Sequence, residues 1–209
     1  MIIKSSITKE EIAQMPREMF PGKIVVIQAE SEVEKAVRFL ETRPVVGIDT
    51  ETRPSFRKGQ SNQVALLQLS TDDICFLFRL NWIGIPDSIV RLLENPSVKK
   101  IGLSLKDDIR TLQHRTEFKQ QACIELQEYV KAFGIMDNSL QKIYAILFGR
   151  KISKAQRLSN WEADVLSDAQ QLYAATDAWT CYNIYNLLGT LLHTGDYELE
   201  KVVETVEQD

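Results

Sequence analysis

Cysteine is scarce in this 209-residue chain: three residues, Cys75, Cys123 and Cys181, scattered and without CxxC spacing. An odd, dispersed set excludes a disulfide framework and a thiolate zinc site, and a reducing, cytoplasmic interior is the expected home. Long apolar runs are missing as well. Nothing approaches the roughly eighteen consecutive apolar residues that a membrane helix needs, so no membrane association is expected. The start, Met1 to Glu11, lacks the sustained apolar core of a signal peptide. No internal repeat or low-complexity linker interrupts the chain. No glycine-rich turn follows Gly47, which leaves that residue a packing role and not a phosphate loop. Positive charge is also in deficit: the net charge is −4, which argues against a broad nucleic-acid-coating surface. Its distribution matters more. From Gly195 onward six acids face Lys201 alone, and without that tail the chain is close to neutral. A phosphate-binding cleft is therefore still compatible, because steering depends on where charges lie.

What is present is an ordinary soluble composition, 44% hydrophobic and 26% charged, at a length that suits one α/β domain. Thr8 to Glu11 reads as a capping box opening a short helix, broken by Pro16 and Pro21-Gly22. Residues 1–22 are thus expected to be an N-terminal helical extension. Lys23 to Gln28 has strand character. Ser31 to Glu34 reads as a second capping box, and Val33, Val37 and Leu40 supply an apolar stripe that Pro44 ends. Val45 to Glu51 is a strand, followed by a polar loop from Thr52 to Asn62. Val64 to Leu69 and Ile74 to Phe78 form a hairpin signal around Ser70 to Asp73. Beyond Pro86, helix and strand alternate: Asp87–Glu94 helical, Lys99–Leu103 extended, Ser104–His114 helical, Ala122–Leu126 extended. From Glu128 the chain is mostly helical, interrupted by a basic, turn-like stretch between Gly149 and Asn160. A meander followed by alternation predicts a mixed sheet flanked by helices in a single α/β domain. The acidic tail, 194–209, suits helix and frayed coil equally.

The chemistry concentrates in a few acids. Asp49 and Glu51 close the apolar run Val45-Val46-Gly47-Ile48, and side chains two apart on a strand leave the same face. Two carboxylates at the end of a buried strand repel each other and resist desolvation, an arrangement best tolerated where a divalent cation neutralises it. Tyr173 and Asp177 stand four apart in a helical segment rich in alanine, so phenol and carboxylate share one face. The small residues around them let a helix approach a strand end closely, although they also serve simple packing. Asp108 follows Asp107 in the first turn of a helix, where the dipole favours acids whatever their role.

Taken jointly and in order, these segments resemble the DEDD superfamily of 3′–5′ exonucleases, in its tyrosine-bearing branch, as in ribonuclease D and Werner-type exonuclease domains. Asp49-Thr50-Glu51 matches the first motif, Asp108 the second, and Tyr173 to Asp177 the third. Ala65-Leu66-Leu67-Gln68-Leu69 and Arg157-Leu158-Ser159-Asn160-Trp161 also look like family segments. The likeness runs from about Lys23 to Leu192, which places an exonuclease domain at 23–193. Where some relatives carry Asn four residues before the second-motif Asp, this chain has Ser104.

The resemblance implies a ribonuclease H-like fold and two divalent ions, Mg²⁺ or Mn²⁺, hard cations suited to an all-carboxylate ligand set. It implies that Asp49 bridges both ions, that Glu51 and Asp177 complete one site, and that Asp108 holds the other largely through water. One ion would lower the pKa of an attacking water and the other would stabilise the departing 3′ oxygen. Tyr173 would orient the water, because a phenol with a pKa near 10 is a poor base at neutral pH. The implied reaction is hydrolysis from the 3′ end of DNA or RNA, single-stranded or frayed, releasing nucleoside 5′-monophosphates. Arg150, Lys151, Lys154 and Arg157 form a stretch that could grip the phosphate backbone or be a solvated loop, and Trp161 reads as a core anchor. Two rivals stand beside this reading. One is a catalytically silent nucleic-acid-binding module on the same fold, disfavoured because all four acids and the tyrosine are present. The other is a ribonuclease H-like endonuclease, which would lack the Tyr-x-x-x-Asp helix.

Overall fold

The computed structural model describes residues 1–57, 59 and 62–202, so part of the loop after the acidic strand and the acids Glu204, Glu207 and Asp209 lie outside the described residues. In chain order the elements are β1 (Ile2–Lys4), α1 (Lys9–Gln14), β2 (Lys23–Ile27), α2 (Glu30–Glu41), β3 (Val45–Thr52), β4 (Val64–Ser70), β5 (Ile74–Arg79), α3 (Leu80–Ile83), α4 (Asp87–Glu94), β6 (Lys99–Gly102), α5 (Leu105–Gln113), β7 (Cys123–Glu125) and α6 (Leu126–Tyr129). A 3-10 turn (Val130–Phe133), α7 (Leu140–Phe148), α8 (Asp168–Thr194) and β8 (Glu198–Glu200) complete the chain. Strands β3, β4 and β5 form the expected antiparallel meander. Strand β2 adds to β5 in parallel, β6 lies parallel to β3, and β7 parallel to β6. The six-stranded mixed sheet runs β2-β5-β4-β3-β6-β7, flanked by helices as expected.

The acidic strand is central because its apolar first half can be covered on both faces. One face packs Ile48, Leu67 and Leu69 with Val37 and Leu40 of α2, Leu92 of α4 and Leu112 of α5. The other packs Leu66 and Leu77 with Ala174, Ala175 and Ile184 of α8 and Ile143 of α7. Helix α8 has 27 residues, about 40 Å at 1.5 Å per residue. It lies so close to β3 that a Cβ on Gly47 would stand 1.8 Å from the Ala178 carbonyl oxygen. Gly47 is thus a packing accommodation, and the alanines opposite it make the same close approach possible.

Three local features depart from expectation. Helix α2 begins at Glu30 with Ala29 as its cap, so Ser31 falls inside the helix; the Glu32 carboxylate reaches back to accept the Ala29 N–H at 3.4 Å. Alanine has no side-chain acceptor, and only that half of a capping box remains. The N-terminal 22 residues hold the expected α1, with the Thr8–Glu11 box intact, but also β1. Strand β1 pairs in parallel with β8, Ile2 opposite Glu198 through Lys4 opposite Glu200, so part of the acidic tail is extended. Three-residue strands carry no periodicity of their own; each exists because the other is there. Among the described residues no helix is long and apolar enough to cross a membrane.

Candidate active site

A cavity of 240 Å³ opens where β3 ends, lined among others by Asp49, Glu51, Tyr173, Asp177 and Arg157. Strand alternation sends Asp49 and Glu51 to the α8 side, the side on which Gly47 meets Ala178. Because the backbones are so close, Asp177, one position before Ala178, is delivered to the same spot. Asp49, Glu51 and Asp177 each offer a carboxylate oxygen within 4.8 Å of the others. Tyr173 sits one helical turn earlier, its ring 6.0 Å from that of the wholly buried Trp161. Trp161 therefore packs the helix and shows no stacking face to solvent, as a core anchor should.

Asp108 arrives from the opposite side of the sheet. Helix α5 packs against the other core through Leu105, Ile109 and Leu112, and carries Asp108 to the end of β3 while Asp107 stays exposed. Thr50, whose side chain alternates away from its acidic neighbours, donates its hydroxyl to Asp108 Oδ1. The start of α5 is set by tertiary contacts: Ser104 adopts a left-handed conformation (φ 59°) and makes no side-chain cap. Instead the Glu125 carboxylate of β7 accepts the N–H groups of Ser104 at 2.9 Å and Leu105 at 2.7 Å. A carboxylate at a helix N-terminus satisfies its free donors and complements its dipole.

The electrostatics are those of crowded, desolvated acids. Burial, reinforced by Asp108, Asp177 and Glu51, raises the Asp49 carboxyl well above the usual carboxylate range. Burial and then the charges of Asp177 and Asp108 push Glu51 up to about 9. Burial also raises Asp108 to about 7, with the Thr50 hydroxyl opposing it, and Asp177 to about 7, opposed by Tyr173 and Lys154. Among the described residues no cation figures among the groups acting on Asp49 or Glu51. Around Asp49 and Glu51 the described charged groups are thus all acids, and an oxygen-only donor set of this kind fits a hard divalent cation. Burial, followed by the charge of Asp177, raises the Tyr173 phenol far above its ordinary value, so it stays protonated and keeps its O–H as a donor.

The basic stretch divides. Arg157 lines the acidic cavity and Lys154 acts on Asp177 through space. Lys151 turns away: its ammonium donates to the Ala13 carbonyl, and its backbone bridges to Arg17. The segment from Lys154 to Ser159 is a series of turns, as the sequence suggested. Thr50, Glu125 and the buried Arg79 are contributors that the sequence reading passed over. Arg79 donates to the carbonyls of Ala163 and Asp164, and Arg53 pairs with Glu162 at 3.2 Å, so the loop before α8 is tied to β5 and to the end of β3. Only Thr50 had a sequence signal, its place between the two acids; the others depend on partners 84 or more positions away or on a left-handed residue that no motif announces.

Residues 24–193 match the model of the 3′–5′ exonuclease family. The chain is 32% identical over 198 residues to the mouse bifunctional 3′–5′ exonuclease/ATP-dependent helicase WRN, with 90% of this chain covering 14% of that protein. It is 31% identical over 192 residues to an Arabidopsis thaliana 3′–5′ exonuclease, covering 84% of this chain and 67% of the relative. Among solved structures, the Aedes aegypti Nibbler EXO domain superposes with a TM-score of 0.77 at 19% identity, over 87% of this chain and 95% of that one. The chain thus spans a small part of the helicase-bearing relative and about two thirds of the plant protein.

Proposed function

The chain belongs to the 3′–5′ exonuclease family, and from that premise we propose that it hydrolyses phosphodiester bonds from the 3′ end of a nucleic-acid strand at the Asp49, Glu51, Asp108, Asp177 cluster, with residues 23–193 as the catalytic body. The observation that carries this reading is the convergence of three carboxylates within 4.8 Å at the end of a buried strand, with a tyrosine one turn from the third. Such a cluster is costly to keep as a structural element and useful as a cation site. Asp49, Glu51 and Asp177 would hold one Mg²⁺ or Mn²⁺, and Asp108, oriented by Thr50, would help to hold a second. When bound, the ions supply water activation and charge relief at the departing 3′ oxygen.

The chain's own groups do the rest. The protonated Tyr173 donates a hydrogen bond that holds the attacking water in line with the scissile phosphorus. Arg157, at the cavity wall, and Lys154, which acts on Asp177, would neutralise phosphate oxygens of the terminal nucleotide. The packed Trp161 and the Arg79 clamp keep the Tyr173 helix from shifting. The products are nucleoside 5′-monophosphates, and a single-stranded or frayed 3′ end suits a site of this size.

A 5′-labelled single strand with Mg²⁺ should yield a ladder shortening from the 3′ end. Discrete internal fragments would support an endonuclease instead, and binding without cleavage would support a silent binding module. Matched DNA and RNA strands assayed side by side then assign the sugar preference.

A further inference from the structure

Gln68 lies in the middle of β4, wholly buried, and among the described residues both polar atoms of its amide lack a hydrogen-bond partner. A buried amide with neither group satisfied costs stability that a leucine at the same place would not. Its position suggests why the cost is carried. In the antiparallel ladder Gln68 stands directly opposite Asp49, while Glu51 faces Leu66 and Gly47 faces Ser70. Residues directly opposed in such a ladder project to the same face, with Cβ atoms about 4.5–5.5 Å apart. The Gln68 side chain therefore belongs to the row that faces α8 and carries the acids.

The other neighbours in that row offer it nothing. Leu66 precedes it, Leu77 stands opposite it on β5, and Ser70 spends its hydroxyl on the Thr71 carbonyl at 3.0 Å. Among the described residues Asp49 is the cross-strand neighbour with acceptor capacity to spare: the charged groups acting on it there are acids, and the Thr50 N–H eases its charge. We propose that Gln68 is a positioning residue for Asp49, its amide N–H donating to the carboxylate oxygen turned away from the cation once the acidic cluster is loaded. A ligating carboxylate held from behind in this way has one oxygen fixed toward the metal, and partners of this kind typically contribute 10–100-fold in metal affinity. This rests on the reading that the carboxylates hold a divalent cation.

The test is Mn²⁺ binding to the metal-free full chain, measured by calorimetry and by the metal-induced shift in melting temperature, for the parent, Gln68→Met, Gln68→Leu and the packing control Leu77→Met. The expected result separates two readouts. Without metal both Gln68 variants melt at or above the parental temperature, because an unpartnered amide has been removed. Their Mn²⁺ dissociation constant rises by about tenfold or more, while Leu77→Met binds as the parent does. Parental affinity in both Gln68 variants overturns the proposal. So does a lower metal-free melting temperature with unchanged affinity, which would mean that a buried water, and not Asp49, satisfies the amide. If the parent itself binds no Mn²⁺, the cation reading fails first and the role of Gln68 fails with it.

Discussion

The two faces of β3 are built on opposite terms. The face toward α2, α4 and α5 is filled by large side chains: Ile48, Leu69, Phe76, Phe78 and Leu92 are all buried there. Toward α8 the same strand presents Gly47, Asp49 and Glu51, and the helix answers with Ala174, Ala175 and Ala178. One face keeps its distance with bulk and gains stability from apolar area. The other gives up side-chain volume so that two backbones approach and four acidic and phenolic groups can share one cavity. Stability and chemistry are thus divided across a single strand, and Asp108 is the exception that comes round from the stabilising side.

The largest expected effect comes from removing a cluster acid. Asp49→Ala and Asp177→Ala should each abolish Mg²⁺-dependent cleavage while leaving the metal-free melting temperature unchanged or raised, because clustered carboxylates repel. A large drop in that temperature would instead mark the acids as structural. Next are paired substitutions on the two faces. Leu69→Ala, on the bulky face, should cost about 2–5 kcal/mol by leaving a cavity, yet retain the Mg²⁺-induced rise in melting temperature. Gly47→Ala should cost about 3 kcal/mol by overpacking and also diminish that rise, since α8 must move and takes Asp177 with it. Equal retention of the metal effect in both variants would dissolve the division.

Tyr173→Phe should lower turnover by about a hundredfold with metal affinity preserved, because the ring and its contact with Trp161 remain while the donor is lost. A parental rate in this variant reduces Tyr173 to a packing residue. The pH dependence has a definite sign. Glu51 is raised to about 9 and Asp108 and Asp177 to about 7, whereas the same groups ionise near 4 in the unfolded chain. From about pH 4 to 9 the metal-free fold binds more protons than the unfolded chain, so its stability should fall as pH rises through that window. The stabilisation by Mg²⁺ should grow over the same range as the cation replaces protons. A metal-induced shift that does not vary between pH 6 and 9 would contradict this. The smallest effect is expected outside the cavity: Lys154→Ala with Arg157→Ala should reduce the salt slope of substrate binding by roughly one unit per residue. Lys151→Ala, which loosens the N-terminal contact, should leave that slope alone.

What the sequence determined by itself was everything carried by short-range order. Apolar runs and their alternation marked β3, β4 and β5, and the spacings of two and four put Asp49 with Glu51 and Tyr173 with Asp177. Their order along the chain pointed to the family. The close approach at Gly47 was likewise legible, from a glycine in a strand and alanines in a helix. Tertiary structure alone decided the rest. Strands β1 and β8 form only as each other's partner across almost the whole chain. Asp108, chosen over Asp107 in the sequence only through the family resemblance, is set apart from it physically by the rotation of α5 and by the Thr50 hydroxyl. Lys151 and Arg157, alike as cations in one basic stretch, are sent to different neighbours by the turns between them. Periodicity is a property of neighbours along the chain, whereas the choice among chemically equal side chains depends on which distant backbone stands opposite.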